Sequence, residues 1–248
     1  MPKLGIGSSL TRAGLTKPGI VTDSLVLKHN YAAGGVVPVS DGACKFNGTS
    51  DYIAIGAKPV DTADATYCFW AKSDAGSASV ANRGLFAHGD QAIGGFGVNH
   101  DSGRPLLYLA ATLFQYWVDT GYAYDGKWHH WAVVVDVDDM EDGCKLYIDG
   151  VEIAHGSRDE AGTVASYGNL EIGRSNATYE YEGYLCNFGV WSGLLSQAEI
   201  KSIMWKNYAD LSTEEKAYKG DLVSWWNMDE GTGTSVADSH GSNDGTFT

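Results

Sequence analysis

Four groups of residues have types and spacings that could do chemistry. The first is the adjacent pair His129 and His130, which invites a metal or acid/base reading. Neighbouring residues of a strand point to opposite faces, so the two rings cannot ligate one ion together. The expected arrangement has one ring hydrogen-bonded inside the fold and the other at its surface. The second group is Glu180 and Glu182 in TYEYEGY, two carboxylates on one face of an extended segment. Retaining glycoside hydrolysis needs an acid and a nucleophile roughly 5 to 5.5 Å apart, and period-two spacing can place them on the same side. The third is the acidic run Asp136, Asp138, Asp139, Glu141 and Asp142 before Gly143. It fails as an EF-hand loop because Tyr147 falls where the bidentate Glu belongs, so a solvated turn is expected. The fourth binds through faces rather than reactivity. In FQYWVDTGYAY, residues Gln115, Tyr116, Trp117, Asp119, Tyr122 and Tyr124 set aromatic rings beside hydrogen-bonding groups, the combination that holds a sugar ring. Alternation assigns half of these aromatics to a core.

The elements that must position these groups are strands. In the stretch from Trp128 to Ala154, Trp131, Val133 and Val135 alternate with His130, Ala132 and Val134, the period of an extended chain. The acidic run breaks the pattern, Leu146 and Ile148 resume it, and Asp149-Gly150 is the dipeptide of a tight hairpin whose central residues need positive φ. Upstream, short runs separated by Gly, Asp and Ser predict strands over 44–46, 52–55, 66–72, 84–88, 96–99, 106–110 and 114–119, the density of a sandwich rather than of alternating strands and helices. Tyr67, Phe69 and Ala71 alternate with Cys68 and Trp70, so that strand carries large apolar groups on both faces and is expected to be central. Strands over 170–174 and 184–191 follow. Ser196 with Glu199, and Ser212 with Glu215, are capping boxes that open helices within 196–218, expected to pack on the sandwich rim.

The two ends read differently. Residues 1–42 are interrupted by glycines and prolines and predict an extended arm. Leu222 to Thr246 contains Trp225 and Trp226, which would be left uncovered unless this run completes a sheet. The expected domain is therefore 43–248.

Composition narrows the function classes. With 31 acidic and 17 basic side chains the net charge is −14, which opposes nucleic acid and anionic membranes. Nothing predicts membrane insertion, and the N-terminus lacks the apolar region of a secretory signal. Cys44, Cys68, Cys144 and Cys186 each sit in an apolar run without metal or redox spacing, so buried free thiols are expected.

The Trp-His-His strand, the turn and the LY-DG hairpin resemble the laminin-G-like, concanavalin A-like lectin/glucanase family. Phe46 to Ile53, Ile172-Gly173-Arg174 and Gly183 to Ile200 are similar to further pieces of it. The resemblance implies an all-β, two-sheet antiparallel jelly roll, with Leu222 to Thr246 matching the segment that normally opens such a domain and so standing in permuted order. It also implies calcium, for which Asp238, Asn243 and Asp244 in DSHGSNDG are the candidate ligands. Cys186-Asn187 stands where relatives usually carry Asp-Glu, and no third carboxylate follows Glu182 as the glucanase Glu-x-Asp-x-x-Glu pattern requires, so no catalysis is expected.

The segment Ser24 to Ala43 resembles leaders that precede such domains in tailed-phage structural proteins. The resulting expectation is a non-enzymatic virion surface protein, a decoration or fibre component made in the host cytoplasm. Its arm joins other virion proteins, its lectin-like domain meets cell-surface glycans, and a homotrimer is the expected assembly by analogy. The alternatives are a carbohydrate-binding module of an adhesin or enzyme, and a glycan hydrolase.

Overall fold

A computed structural model describes residues 40–61, 63–74, 83–88, 95–98, 105–110, 113–118, 121, 125–139, 142–160, 168–175 and 179–248. For residues 83, 95–98, 108–110, 113–116 and 157–160 it describes the backbone alone. The chain divides into two units, Met1–Val36 and Val37–Thr248, and the described residues belong to the second. Residues 1–39 of the expected arm lie outside the described residues.

The strands are β1 (Cys44–Asn47), β2 (Ile53–Ile55), β3 (Ala65–Ser73), β4 (Arg83–His88), β5 (Gly95–Val98), β6 (Pro105–Ala110), β7 (Leu113–Trp117), β8 (His129–Val135), β9 (Lys145–Ile148), β10 (Val151–Glu152), β11 (His155–Glu160), β12 (Leu170–Ile172), β13 (Glu182–Trp191), β14 (Leu222–Trp226), β15 (Ser235–Val236) and β16 (Gly245–Phe247). Two helices, α1 (Gln197–Ile203) and α2 (Thr213–Lys216), follow β13. Among the described residues the strands form two antiparallel sheets. One has the order β1-β13-β3-β8-β9-β10 with β14 also on β13, and the other runs β11-β7-β6-β5-β4-β12-β2-β16-β15. The C-terminal run enters both, since β14 pairs with β13 and β16 pairs with β2.

Alternation explains the inner core. Tyr67 and Phe69 of β3, Trp131, Val133 and Val135 of β8, and Phe188 of β13 meet Ile53, Phe86, Leu107 and Ile172 of the facing sheet. Phe69 stacks on Phe188 at 5.2 Å between ring centroids, and Tyr67 on Phe86 at 4.4 Å. Aromatic pairs at such separations contribute beyond the area they bury. As the two-faced pattern predicts, β3 lies between β13 and β8 and is buried on both sides.

The outer face of β3 and β8 is where the structure departs from the sequence reading. Cys68, Ala132, Val134, Trp191 and Trp225 form a second apolar cluster with Leu195, Ile200, Ile203 and Leu211. The helices therefore cover a sheet face and do not sit on a rim. Both start on complete capping boxes, from Ser196–Glu199 and Ser212–Glu215, which satisfy backbone N–H groups that a helix start leaves without partners.

Candidate functional site

The aromatic segment expected to hold a sugar does not present its tryptophan. Trp117 is 0% exposed and packs edge-on against His155 at 6.0 Å, inside the inter-sheet core. Its place on the inner side of β7, a strand flanked by β6 and β11, leaves no ring face for a ligand. Gln115 and Tyr116 occupy ladder positions opposite Leu107 and Leu106, and their side chains are outside the described residues, as are Asp119, Tyr122 and Tyr124 entirely.

The proposed calcium loop is a backbone knot. Asp238 Oδ1 accepts hydrogen bonds from the N–H groups of Trp225 (3.0 Å), His240 (3.1 Å) and Gly241 (3.0 Å), and Oδ2 accepts from Asn243 N–H at 3.0 Å. Asp244 Oδ1 accepts from Asp238 N–H, and the Asn243 amide donates to Ser224 Oγ. Burial raises the Asp238 pKa, but these backbone donors outweigh it and hold the carboxyl below its ordinary value. A cation would need the lone pairs that already receive N–H groups, whose positive ends point at its approach. Hence the oxygen-rich loop fits a turn that fastens the end of β14 rather than an ion site. Among the described residues no group of three or more His, Cys, Asp or Glu side chains is arranged to hold a metal.

The two histidines are both buried, at 7% and 3% exposure, which corrects the expectation that one lies at the surface. The reason is the helix layer, because the outer face of β8 has a cover. His129 directs Nδ1 at Asp149 Oδ2 (2.7 Å) and Nε2 at Asp125 Oδ2 (3.1 Å). Carboxylates only accept, so a ring held at both nitrogens carries both protons. Burial opposes that charge, yet the bonds to Asp149 and Asp125 prevail and raise the pKa. His130 donates its backbone N–H to Asp149 Oδ1 at 2.9 Å, while its ring lies edge-on to Trp70 at 5.6 Å. Burial pushes its pKa down to about 4, and the ring is neutral at pH 7. Asp149 and Gly150, with φ of 52° and 73°, form the tight turn between β9 and β10 that the Asp-Gly dipeptide predicts.

Glu180 and Glu182 flank the buried Tyr181 in one extended run. Glu180 forms an isolated antiparallel bridge to Arg174, whereas Glu182 opens β13 opposite Asn47. The Arg174 guanidinium bonds Glu171 twice, at 2.7 and 2.6 Å, and lies 3.3 Å from the centre of the Tyr52 ring.

The exposed aromatic that the structure offers is Trp205. Among the described residues the exposed large apolar side chains are Val118, Val151 and Trp205, the last 42% exposed. Its ring rests on Trp70 at 4.9 Å with a tilt of 50°, and the Trp70 indole N–H donates to Met204 O at 2.9 Å. Trp205 thus stands on a buried indole that is itself hydrogen-bonded. The hairpin tip closes one side: Gln197 Nε2 donates to Gly150 O at 2.9 Å. A Cβ at Gly150 would lie 2.8 Å from Lys201 Cγ and 3.2 Å from Met204 Sδ, so only a glycine admits the helix this closely. Lys201 and the Gly150 carbonyl are polar groups of this turn; Lys206, next to Trp205 in the chain, is bonded to Glu215 at 2.5 and 2.6 Å. Sequence reasoning missed Trp205 because it follows an amphipathic stripe of Ile200, Ile203 and Met204. Its position just past the last helical turn, out of that stripe, was the signal available.

Comparison with known proteins gives the frame. A protein of Bacteroides ovatus, provisionally named a carbohydrate binding protein, superposes with a TM-score of 0.60 at 16% identity over 82% of this chain. The match spans 57% of the length of that protein. A heptameric SAP-like pentraxin of Limulus polyphemus gives a TM-score of 0.48 at 16% identity, covering 85% of this chain and 97% of its own. Domain 4 of a GH43 extracellular arabinanase of Geobacillus stearothermophilus, solved with arabinotriose, gives 0.47 at 19% identity, covering 69% and 82%. At 16% identity the likeness to the Bacteroides ovatus protein is one of fold. No curated protein matches the chain. The family model of the concanavalin A-like lectin/glucanases superfamily, of the laminin G type, matches residues 47–201. With more than half of the chain under that model and two antiparallel sheets facing across one aromatic core, the chain belongs to the concanavalin A-like lectin/glucanases superfamily.

Proposed function

We propose that this domain is a non-enzymatic carbohydrate-recognition module and that the Trp205 corner is its sugar-stacking surface. The observation that carries the reading is a large aromatic face, 42% exposed and supported from below by a fixed indole, beside hydrogen-bonding groups of a tight turn. Sugar rings present apolar C–H faces and polar rims, and such a surface meets both. The carbohydrate-binding name of the Bacteroides ovatus protein supports the same class. Lectin rather than glucanase is favoured because no third carboxylate follows Glu182, as the glucanase pattern requires, and His130 is a buried neutral ring rather than an acid or base in a cleft.

Calorimetric titration of the full chain against a panel of oligosaccharides tests the reading. Binding that Trp205→Ala removes, with the circular dichroism spectrum unchanged, is the expected result. Reducing-sugar release by the parent chain, abolished by Glu180→Gln, would instead make it a glycanase. The leader resemblance of Ser24 to Ala43 supports display on a virion, for which peptides of this chain in mass spectra of purified particles are the expected finding.

A further inference from the structure

We infer that the Trp205 corner selects sugars that bear a carboxylate, with Lys201 as the residue that reads the charge; this rests on the carbohydrate reading above. Lys201 lies in the last turn of α1, four residues before Trp205, and the Gly150 turn meets both Lys201 and Met204, the residue just before Trp205. The Lys201 stem lies along the α-carbon of Gly150, where a Cβ would come within 2.8 Å of Cγ and 3.2 Å of Cε. The contact limits the rotamers of an otherwise flexible chain, so less freedom is lost when its ammonium takes a partner.

Charge completes the argument. The chain carries a net charge of −14, which repels anionic ligands in general. Binding an acidic sugar therefore needs a local cation that the protein has not already neutralised. Lys45, Lys127 and Lys206 are neutralised, paired with Asp74, Asp125 and Glu215. Lys201 makes no ion pair among the described residues, and its side chain is exposed. The nearest carboxylate of the hairpin tip, Asp149, is turned to His129 and to the His130 N–H. An exposed indole face, with an exposed ammonium without a counter-ion four residues before it at the same turn, matches a pyranose ring with a carboxylate substituent: the ring stacks and the acid pairs.

The test uses trisaccharides of galacturonate, glucuronate and mannuronate, each paired with its methyl ester, titrated into the full chain at low salt. Esterification removes the charge and leaves the ring faces. The expected result is at least one acid bound about tenfold more tightly than its ester, a preference that weakens as salt rises. Lys201→Gln should bring acid and ester level, Lys201→Arg should keep the preference, and Trp205→Ala should remove binding of both. Equal binding of acid and ester overturns the charge selection and leaves the carbohydrate reading standing. Failure of every acid and every ester to bind, with neutral oligosaccharides still bound, overturns the charge selection alone; failure of these and of the neutral panel overturns both.

Discussion

Trp117 and Trp205 make opposite use of the same side chain. Trp117 sits on the inner side of β7, fully buried, and its ring is part of what joins the two sheets. Trp205 sits beyond α1, 42% exposed, and its ring touches the protein on one side through Trp70. One indole is consumed by packing; the other is offered outward. A sequence segment rich in aromatics is thus a poor guide to a binding face, because strand alternation claims some of them for the core before any ligand can.

The comparison is sharpest in stability. Trp117→Ala should cost about 3 to 5 kcal/mol, the range for truncating a large buried aromatic, and chemical denaturation should register it as a lowered midpoint. A loss below about 1 kcal/mol would break the contrast with Trp205.

Acid should act on both faces of the sheet next. His88, hydrogen-bonded to Tyr67 in the inter-sheet core, and His130, beside Trp70 under the helix layer, are both pushed by burial down to about 4. Their neutral forms are the ones the fold accommodates. Each therefore contributes stability above the unfolded value near 6.5 that is lost as pH falls towards 4, on the order of 3 kcal/mol per ring at most. Replacing His88 or His130 by Gln should flatten the fall in melting temperature between pH 6.5 and 4. His129 runs the other way. Its raised pKa makes its contribution complete below 6.5 and diminishing as pH rises through the folded value.

The Asp238 turn is a third probe, because it fastens the strand that carries Trp225 and Trp226. Asp238→Ala leaves four backbone N–H groups without their acceptor and should cost about 2 to 3 kcal/mol. Millimolar calcium should leave the melting temperature of the parent chain unchanged; a clear rise would restore the ion site, since a ligand bound to the folded state alone stabilises it.

The smallest stability effect belongs to Trp205→Ala, about 1 kcal/mol from the stacking contact with Trp70. Its functional effect is the loss of sugar binding in titration, the reverse of the pattern at Trp117.

The sandwich was legible because its information is local. Period-two alternation in β3 and β8, the Asp149-Gly150 turn and the two capping boxes each declare themselves within a few residues. Faces and partners were harder. That β8 has a covered outer side depends on α1, more than sixty residues downstream, so a buried His130 could not be read from its own neighbours. The loop after Val236 offers the same oxygens whether it meets calcium or N–H groups, and only its path past Trp225 and Asn243 chose the latter.

By itself, then, the sequence determined the strands, the tight turns, the helix starts and the family, all of which follow from side-chain period and backbone preference over short spans. The tertiary structure decided which indole is buried, which histidine meets carboxylates and which is pressed against an indole, and that Lys201 borders the Gly150 turn. These properties depend on what lies across a sheet or over a helix, and contacts between residues distant along the chain exist only once it has folded.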